Sequence, residues 1–341
     1  MSLALTTTYE PMEALPASNL PIGPEWHYEP KWDGFRCLAF RDQKRIQLMS
    51  KSAKPLTRYF PELVAALSEV SAKQFVLDGE IVIPVGGTLS FDDLLMRIHP
   101  AASRIRKLSE ATPCTFIVFD LLVDERGKSL THEPLERRRR MLEQFVKRNF
   151  RDHAGIRLSP RTDDLPVARK WFHMGVALDG VVAKRRDLPY QSGKRTGMKK
   201  IKKQRTADCV VGGFRYLAKK KLVGSLLLGL YDEEGKLNHV GFTSSIHDKD
   251  RAALTTKLRR LIQPPGFTGR APGGPSRWST ERSGVWEPLR PELVVEVQFD
   301  HFTGGRFRHG TKFLRWRPDK TPKHCTLRQV DRENQSALDL L

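Results

Sequence analysis

A chain of 341 residues is too long for one compact core and long enough for two domains. Its 39% hydrophobic content, with six Trp and 17 Phe, excludes a disordered chain. A net charge of +20 exceeds what solubility requires and points to a polyanionic partner, nucleic acid ahead of an anionic membrane.

Residues 1–27 carry Pro, Ala and Thr without periodicity and read as a lead-in packed across a surface. The N-terminus lacks a basic region followed by an apolar core, and no apolar run reaches the roughly 18 residues that span a bilayer. A cytoplasmic, chromosome-associated protein with no membrane partner is therefore expected. From Tyr28 to about Leu48 come two strand-like runs joined by the turn Arg41–Lys44. Pro61 opens an amphipathic helix with Leu63, Leu67 and Val70 on one face. Phe75–Ile83 is a strand, Ser90 an N-cap, and Phe116–Val123 a second apolar strand. Pro134 starts a helix that buries Leu135, Leu142 and Phe145, with Arg137–Arg140 as its solvated face. Asp163 and Asp164 cap a helix through Trp171 that stops at Gly175, and Gly180–Lys184 is strand-like. From Lys184 to Arg205 there are ten Lys/Arg and one acid, Asp187.

Beyond Arg205, short strands at 207–216, 222–231, 237–242 and 293–299 surround one helix, with Leu254, Leu258, Leu261 and Ile262 at helical spacing. Residues 264–291 are a Pro/Gly-rich loop. The expectation is an α+β domain over 1–205, followed by a small β-barrel of the OB type over 206–341. The four cysteines, Cys37, Cys114, Cys209 and Cys325, are far apart and read as buried thiols of a reducing compartment.

The chemistry begins at Glu29-Pro30-Lys31-Trp32-Asp33-Gly34-Phe35-Arg36, where a lysine lies in a strand-like run between carboxylates. Such an amine is a candidate covalent nucleophile, although charged residues before a glycine also make ordinary turns. Three other apolar strands carry acids that are costly to bury alone: Asp78 and Glu80, Asp120, and Asp179 with Lys184 five residues on. Each alone could be a structural ion pair. With Lys31 they suit a phosphorylated ligand and a hard divalent metal held by oxygen.

In this order the motifs resemble those of bacterial ATP-dependent DNA ligases, most closely the short two-domain type, from about Glu10 to Leu327. The resemblance implies a nucleotidyltransferase (ATP-grasp-like adenylation) domain followed by the OB-fold domain. It implies ATP and Mg2+ or Mn2+ as cofactors, and nicked duplex DNA as substrate, with a lysyl-AMP and then a DNA-adenylate intermediate. Lys31 would be the nucleophile of Lys-x-Asp-Gly-x-Arg, with Asp33 and Arg36 catalytic beside it. Arg36 would contact the DNA 5′-phosphate or the ribose, and Glu29 would accept from the adenine amino group. Glu80 would bind ribose or metal, Phe119 would stack on adenine, and Asp179 would take the metal-binding position, where many relatives have Glu. Lys184 would belong to the nucleotide-binding set, Lys200 and Lys202 would neutralise the α-phosphate, and neighbouring cations would lower the Lys31 pKa. Lys51 stands where Arg is usual, and Met198 where Trp is common. The tail residues Arg315, Arg317, Asp319 and Lys320 match the segment that orients the pyrophosphate.

The chain is expected to act as a monomer in DNA repair, with a repair polymerase or an end-binding protein as the partner that delivers the break. An RNA ligase or capping guanylyltransferase of the same superfamily, or a non-catalytic nucleic-acid-binding protein, would share much of this pattern.

Overall fold

Strand alternation and short turns build the N-terminal part of the protein. The computed structural model describes residues 3–150, 155–174, 178–203, 205–218, 220–273, 285–330 and 340–341. The chain divides into two units, Met1–Lys203 with Glu333–Leu341, and Gln204–Arg332. In chain order the first unit contains β1 (Leu15–Pro16), β2 (Trp26–Lys31), β3 (Phe35–Asp42), β4 (Arg45–Ser50), α1 (Pro61–Glu69) and β5 (Gln74–Val82). Then follow a small hairpin of β6 (Pro84–Val85) and β7 (Thr88–Leu89), α2 (Phe91–Met96), α3 (Ala102–Ala111) and β8 (Thr115–Val123). α4 (Leu135–Asn149), β9 (Ile156–Leu158), α5 (Leu165–His173), β10 (Gly180–Arg185) and β11 (Met198–Lys202) complete it.

Two sheets face each other in this unit. One has the order β4-β3-β5-β8-β9 and the other β1-β11-β10-β2. Because side chains alternate along a strand, the first sheet has two distinct faces. Cys37, Ala39, Phe75, Leu77, Ile81, Phe116 and Val118 pack with Leu63 and Leu67 of α1 and Leu142 and Phe145 of α4. Leu38, Phe40, Val76 and Leu122 point the other way, to Tyr190 and Met198 on the side of the second sheet. The far face of that second sheet, Tyr28, Val181, Ala183 and Ile201, is covered by Ala168 and Trp171 of α5. Leu340 and Leu341 pack against the same cluster. Burying each such large apolar side chain stabilises the fold by roughly 1.5–3 kcal/mol.

Local signals set the ends of several elements. Pro61 occupies the first turn of α1, and the Ser90 hydroxyl accepts from the Asp93 amide to cap α2. The buried Arg41 guanidinium donates to the carbonyls of Leu67, Ser68 and Val70, satisfying the orphaned end of α1. The lead-in segment is tied down more firmly than its composition suggests. Leu15 and Pro16 pair in parallel with Lys199 and Lys200, and the Met12 amide donates to Tyr190 Oη at 2.9 Å.

One expectation is corrected here. Arg137–Arg140 is not a solvated face, because Arg138 and Arg139 are 1% and 2% exposed. Arg138 donates through Nε and Nη2 to Asp120, both at 2.9 Å, and Arg139 donates to Glu143 and to the Ser159 carbonyl. The helix α3 arises from a stretch that carried no such expectation. The expected stop at Gly175 lies outside the described residues, as does 274–284 of the Pro/Gly-rich loop.

The second unit contains β12 (Arg205–Leu217), β13 (Lys220–Tyr231), β14 (Leu237–Thr243), α6 (Arg251–Arg259) and β15 (Glu287–Pro288). β16 (Val294–Phe299), β17 (Phe302–Thr303), β18 (Arg306–Phe307) and β19 (Lys312–Trp316) follow. The main sheet runs β14-β13-β12-β16-β19 and is antiparallel throughout. Its two edges meet where Thr243 bridges Thr311, whose amide donates to the Phe242 carbonyl at 3.1 Å. That contact closes the sheet into an OB-type barrel around Val210, Phe214, Leu226, Leu228, Val240 and Val295. A bulge at Gly212–Gly213 bends β12, where any larger side chain would strike Phe267 or Trp286. All four cysteines are buried and free, as expected. No helix among the described residues is long and apolar enough to cross a membrane.

Candidate active site

The register between β2 and β10 assembles the site. Lys31 lies opposite Gly180, Glu29 opposite Val182, and His27 opposite Lys184. A one-residue slip would turn all of these side chains to the other face. Gly180 has φ 136° and lies against the Ile201 carbonyl of β11, so a side chain there would fit neither the backbone nor the space. The Asp179 amide then donates to the Lys31 carbonyl at 2.9 Å, which sets the two side chains together.

Lys31 Nζ is ion-paired with Asp179 Oδ2, and Lys202 Nζ reaches the same oxygen at 3.1 Å. Burial pushes the Lys31 pKa down, but Asp179, Glu80 and Asp33 outweigh it and the net direction is up. The expected depression is therefore corrected for the site as it stands: three carboxylates dominate over the neighbouring cations. Lys200 behaves in the opposite way. Burial and the charges of Lys31, Lys202, Lys51 and Arg195 lower its pKa, and among the described residues it has no ion-pair partner.

Asp78 and Glu80 share a face of β5 with Val76 and therefore point toward the second sheet. Glu80 is pushed up to about 7 by burial, against the pull of Lys31 and Arg36. Arg36 grips Asp78 bidentately at 2.5 and 2.7 Å, and Tyr190 Oη donates to the same carboxylate at 2.6 Å. Its guanidinium lies 4.5 Å from the centre of the Phe119 ring, and Lys184 Nζ lies 4.4 Å from it. Glu29 receives Lys184 Nζ at 2.8 Å. Although burial would raise its pKa, Lys184, His27 and Arg139 hold the carboxyl at about 2. Lys51 pairs with Glu13 at 2.9 Å.

The structure thus brings eight of the expected residues to one solvent-open pocket. Glu29, Lys31, Arg36 and Lys51 line it with Glu80, Phe119, Lys184 and Lys200. Met12 and Glu13 of the lead-in and Val182 and Met198 of the second sheet complete the wall. Asp33, Asp179 and Lys202 flank Lys31 without lining the pocket.

Arg315, Arg317, Asp319 and Lys320 belong to the second unit. Arg315 Nε donates to Glu296 at 2.7 Å. Arg317 donates to Asp208 and Asp319, both at 2.8 Å, and Lys320 Nζ lies 3.4 Å from Asp208. Residue patterns did not single out His27, Arg139, Tyr190 or Glu13. The available signal was alternation: His27 shares its strand face with Glu29 and Lys31.

A lysine set among carboxylates between two facing sheets, with cations around it and a barrel unit following, defines a nucleotidyltransferase. The family of ATP dependent DNA ligase domains matches residues 10–202, and the C terminal region of the same ligases matches 219–320. The chain is 44% identical to DNA ligase C2 of Mycolicibacterium smegmatis, over 97% of this chain and 96% of that protein. It is 30% identical to the multifunctional non-homologous end joining protein LigD of the same organism, over 87% of this chain and 37% of that protein. A solved structure from an analysis of Lig E DNA ligases shares the fold, with a TM-score of 0.55 and 15% identity over 90% of this chain and 99% of that one. The chain belongs to the ATP-dependent DNA ligases.

Proposed function

We propose that this DNA ligase uses Lys31 as its nucleophile. Lys31 Nζ gives up its ammonium proton to solvent and attacks the α-phosphorus of ATP. The N–P bond forms as the bond to pyrophosphate breaks, and a second N–H proton leaves to solvent to give the phosphoramidate. AMP then passes to the 5′-phosphate of a nick, and the 3′-hydroxyl displaces it to seal the strand. The observation that carries this reading is the uncompensated positive charge of Lys200 beside Lys31 in the pocket, where phosphate oxygens would be neutralised.

The other residues divide the work by chemistry. Glu29 is an ionised acceptor for the adenine amino group, and Phe119 offers a flat apolar face for the base. Arg36, held by Asp78, meets the ribose or the DNA 5′-phosphate, while the buried Lys184 adds charge within the wall and the exposed Lys51 adds charge at the rim. Glu80 and Asp179 offer only oxygen, a donor set suited to Mg2+ or Mn2+. Glu80 fits such an ion because it is a carboxylate with no ion pair of its own among the described residues. When bound, the ion supplies positive charge to the phosphate oxygens. Lys31 must leave Asp179 before it can attack, and Lys202, already on that carboxylate, takes over the pairing. Arg315, Arg317, Asp319 and Lys320 serve the departing pyrophosphate in the first step.

The substrate is nicked duplex DNA, bound by a strongly basic monomer that works at the chromosome. Likeness to about a third of an end-joining protein supports a role beside separately supplied repair factors, such as a polymerase or an end-binding protein. Incubation with ATP labelled at the α-phosphate and a divalent metal tests the first step. Wild type acquires covalent label and Lys31→Ala acquires none; label on the variant would overturn the assignment.

A further inference from the structure

Behind the pocket, Glu29 is held by groups from three elements. His27 Nε2 on β2 lies 3.2 Å from Glu29 Oε1, Lys184 Nζ on β10 lies 2.8 Å from Oε2, and Arg139 Nη1 on α4 lies 3.9 Å from Oε1. His27 is fully buried and does not line the pocket, whereas Glu29 and Lys184 do. An ionised carboxylate only accepts hydrogen bonds, so the His27 nitrogen facing it carries the proton. The other ring nitrogen, Nδ1, is buried with no partner among the described residues, a costly arrangement for a residue that merely fills space. Arg139 Nη1 is also buried without a hydrogen-bond partner among the described residues and is too far from Glu29 to donate, so it contributes charge.

We infer that His27, supported by the charge of Arg139, is a positioning residue that sets purine selectivity by fixing the Glu29 carboxylate as an acceptor toward the base. His27 and Lys184 each occupy one lone-pair direction of Glu29, one on each oxygen, His27 from two residues back on β2 and Lys184 from the paired strand β10. The remaining acceptor capacity faces the pocket. A 6-amino purine donates to it, whereas a 6-keto purine presents an oxygen to an anion. If the carboxylate could rotate, both purines would find a tolerable contact and the preference would weaken.

This inference rests on the reading of Glu29 as the group that meets adenine, and the test separates the two. First-step labelling is measured with ATP and with purine riboside triphosphate, which lacks the 6-amino group. Wild type, His27→Leu, His27→Gln and Glu29→Gln are compared. His27→Leu is expected to raise KM for ATP roughly ten- to hundred-fold with a much smaller change in kcat. It should shrink the advantage of ATP over the analogue by a similar factor. His27→Gln, which keeps a donor at the ε position, restores the preference, and His27→Asn, with the donor at the δ position, does not. Equal losses for ATP and the analogue in His27→Leu, while Glu29→Gln abolishes the preference, would overturn the inference alone. An unchanged preference in Glu29→Gln would overturn the reading of Glu29 itself. Should His27→Leu not fold, the contrast between Gln and Asn decides.

Discussion

The charged residues of the pocket and those of the last motif are organised by opposite means. In the first unit, partners come from other elements and are buried: Lys31 with Asp179, Arg36 with Asp78, Arg138 with Asp120. In the second, Arg317 divides itself between the buried Asp208 of β12 and Asp319 two residues away, and Arg315 lies 62% exposed against Glu296. Buried pairs fix geometry because breaking one leaves a charge without water, whereas exposed pairs exchange partners at little cost. The pocket is therefore a rigid mould, and Arg315 of the last motif a cation available for redirection.

The largest expected effect breaks the rigid side. Arg138→Met leaves Asp120 buried and unpaired, and should lower the stability of the protein by about 3–5 kcal/mol. The readout is the denaturant midpoint at unchanged slope, and Arg138→Met with Asp120→Asn should recover part of the loss.

A second test sharpens the contrast by asking whether the barrel hides a buried charge site of its own. His239 is 8% exposed, and neither ring nitrogen has a hydrogen-bond partner among the described residues. Burial first, then Arg306, Arg215 and Arg270, push its pKa down to about 3. The folded state thus refuses a proton that the unfolded chain accepts near pH 6.5. The stability difference is fully present above pH 6.5 and is lost as pH falls toward 3, by about 1.4 kcal/mol per pH unit. His239→Leu should lack that part of the slope in denaturation curves taken between pH 7 and pH 5.

The smallest stability effect belongs to the exposed side. Arg315→Ala should change stability by less than about 1 kcal/mol. It should nonetheless slow first-step labelling at least about tenfold. A large stability loss, or an unchanged labelling rate, would erase the distinction between the two regions.

Much of this was legible in the residues. Phe75–Ile83 and Phe116–Val123 read as strands because apolar and β-branched residues dominate them, and Ser90 as a cap because an acid follows three positions later. The burial of Arg138 and Arg139 was concealed by their charge, yet Leu135, Arg138, Arg139 and Leu142 follow the i, i+3, i+4, i+7 spacing of one helix face. Asp120 on an apolar strand was the matching clue, since it needed a cation. The pairing of β1 with β11 had no signal, because a two-residue strand is defined by its partner rather than by its own sequence. The upward shift of Lys31 was hidden for a related reason: Asp179 and Glu80 are remote in sequence, and only the facing sheets bring their charges to the amine.

The pairing of β2 with β10 also governs when the site comes into being. Lys31 and Gly180 are about 150 residues apart, and closing so long a loop carries an entropic cost that only the finished unit offsets. During synthesis Lys31, the proposed nucleophile, leaves the ribosome about 150 residues or more ahead of Asp179, Lys200 and Lys202. A nascent chain therefore carries a bare, solvated lysine with no pocket around it. On the proposed chemistry, self-adenylation requires the paired β2 and β10, so acquisition of label doubles as a report that this long-range contact has formed.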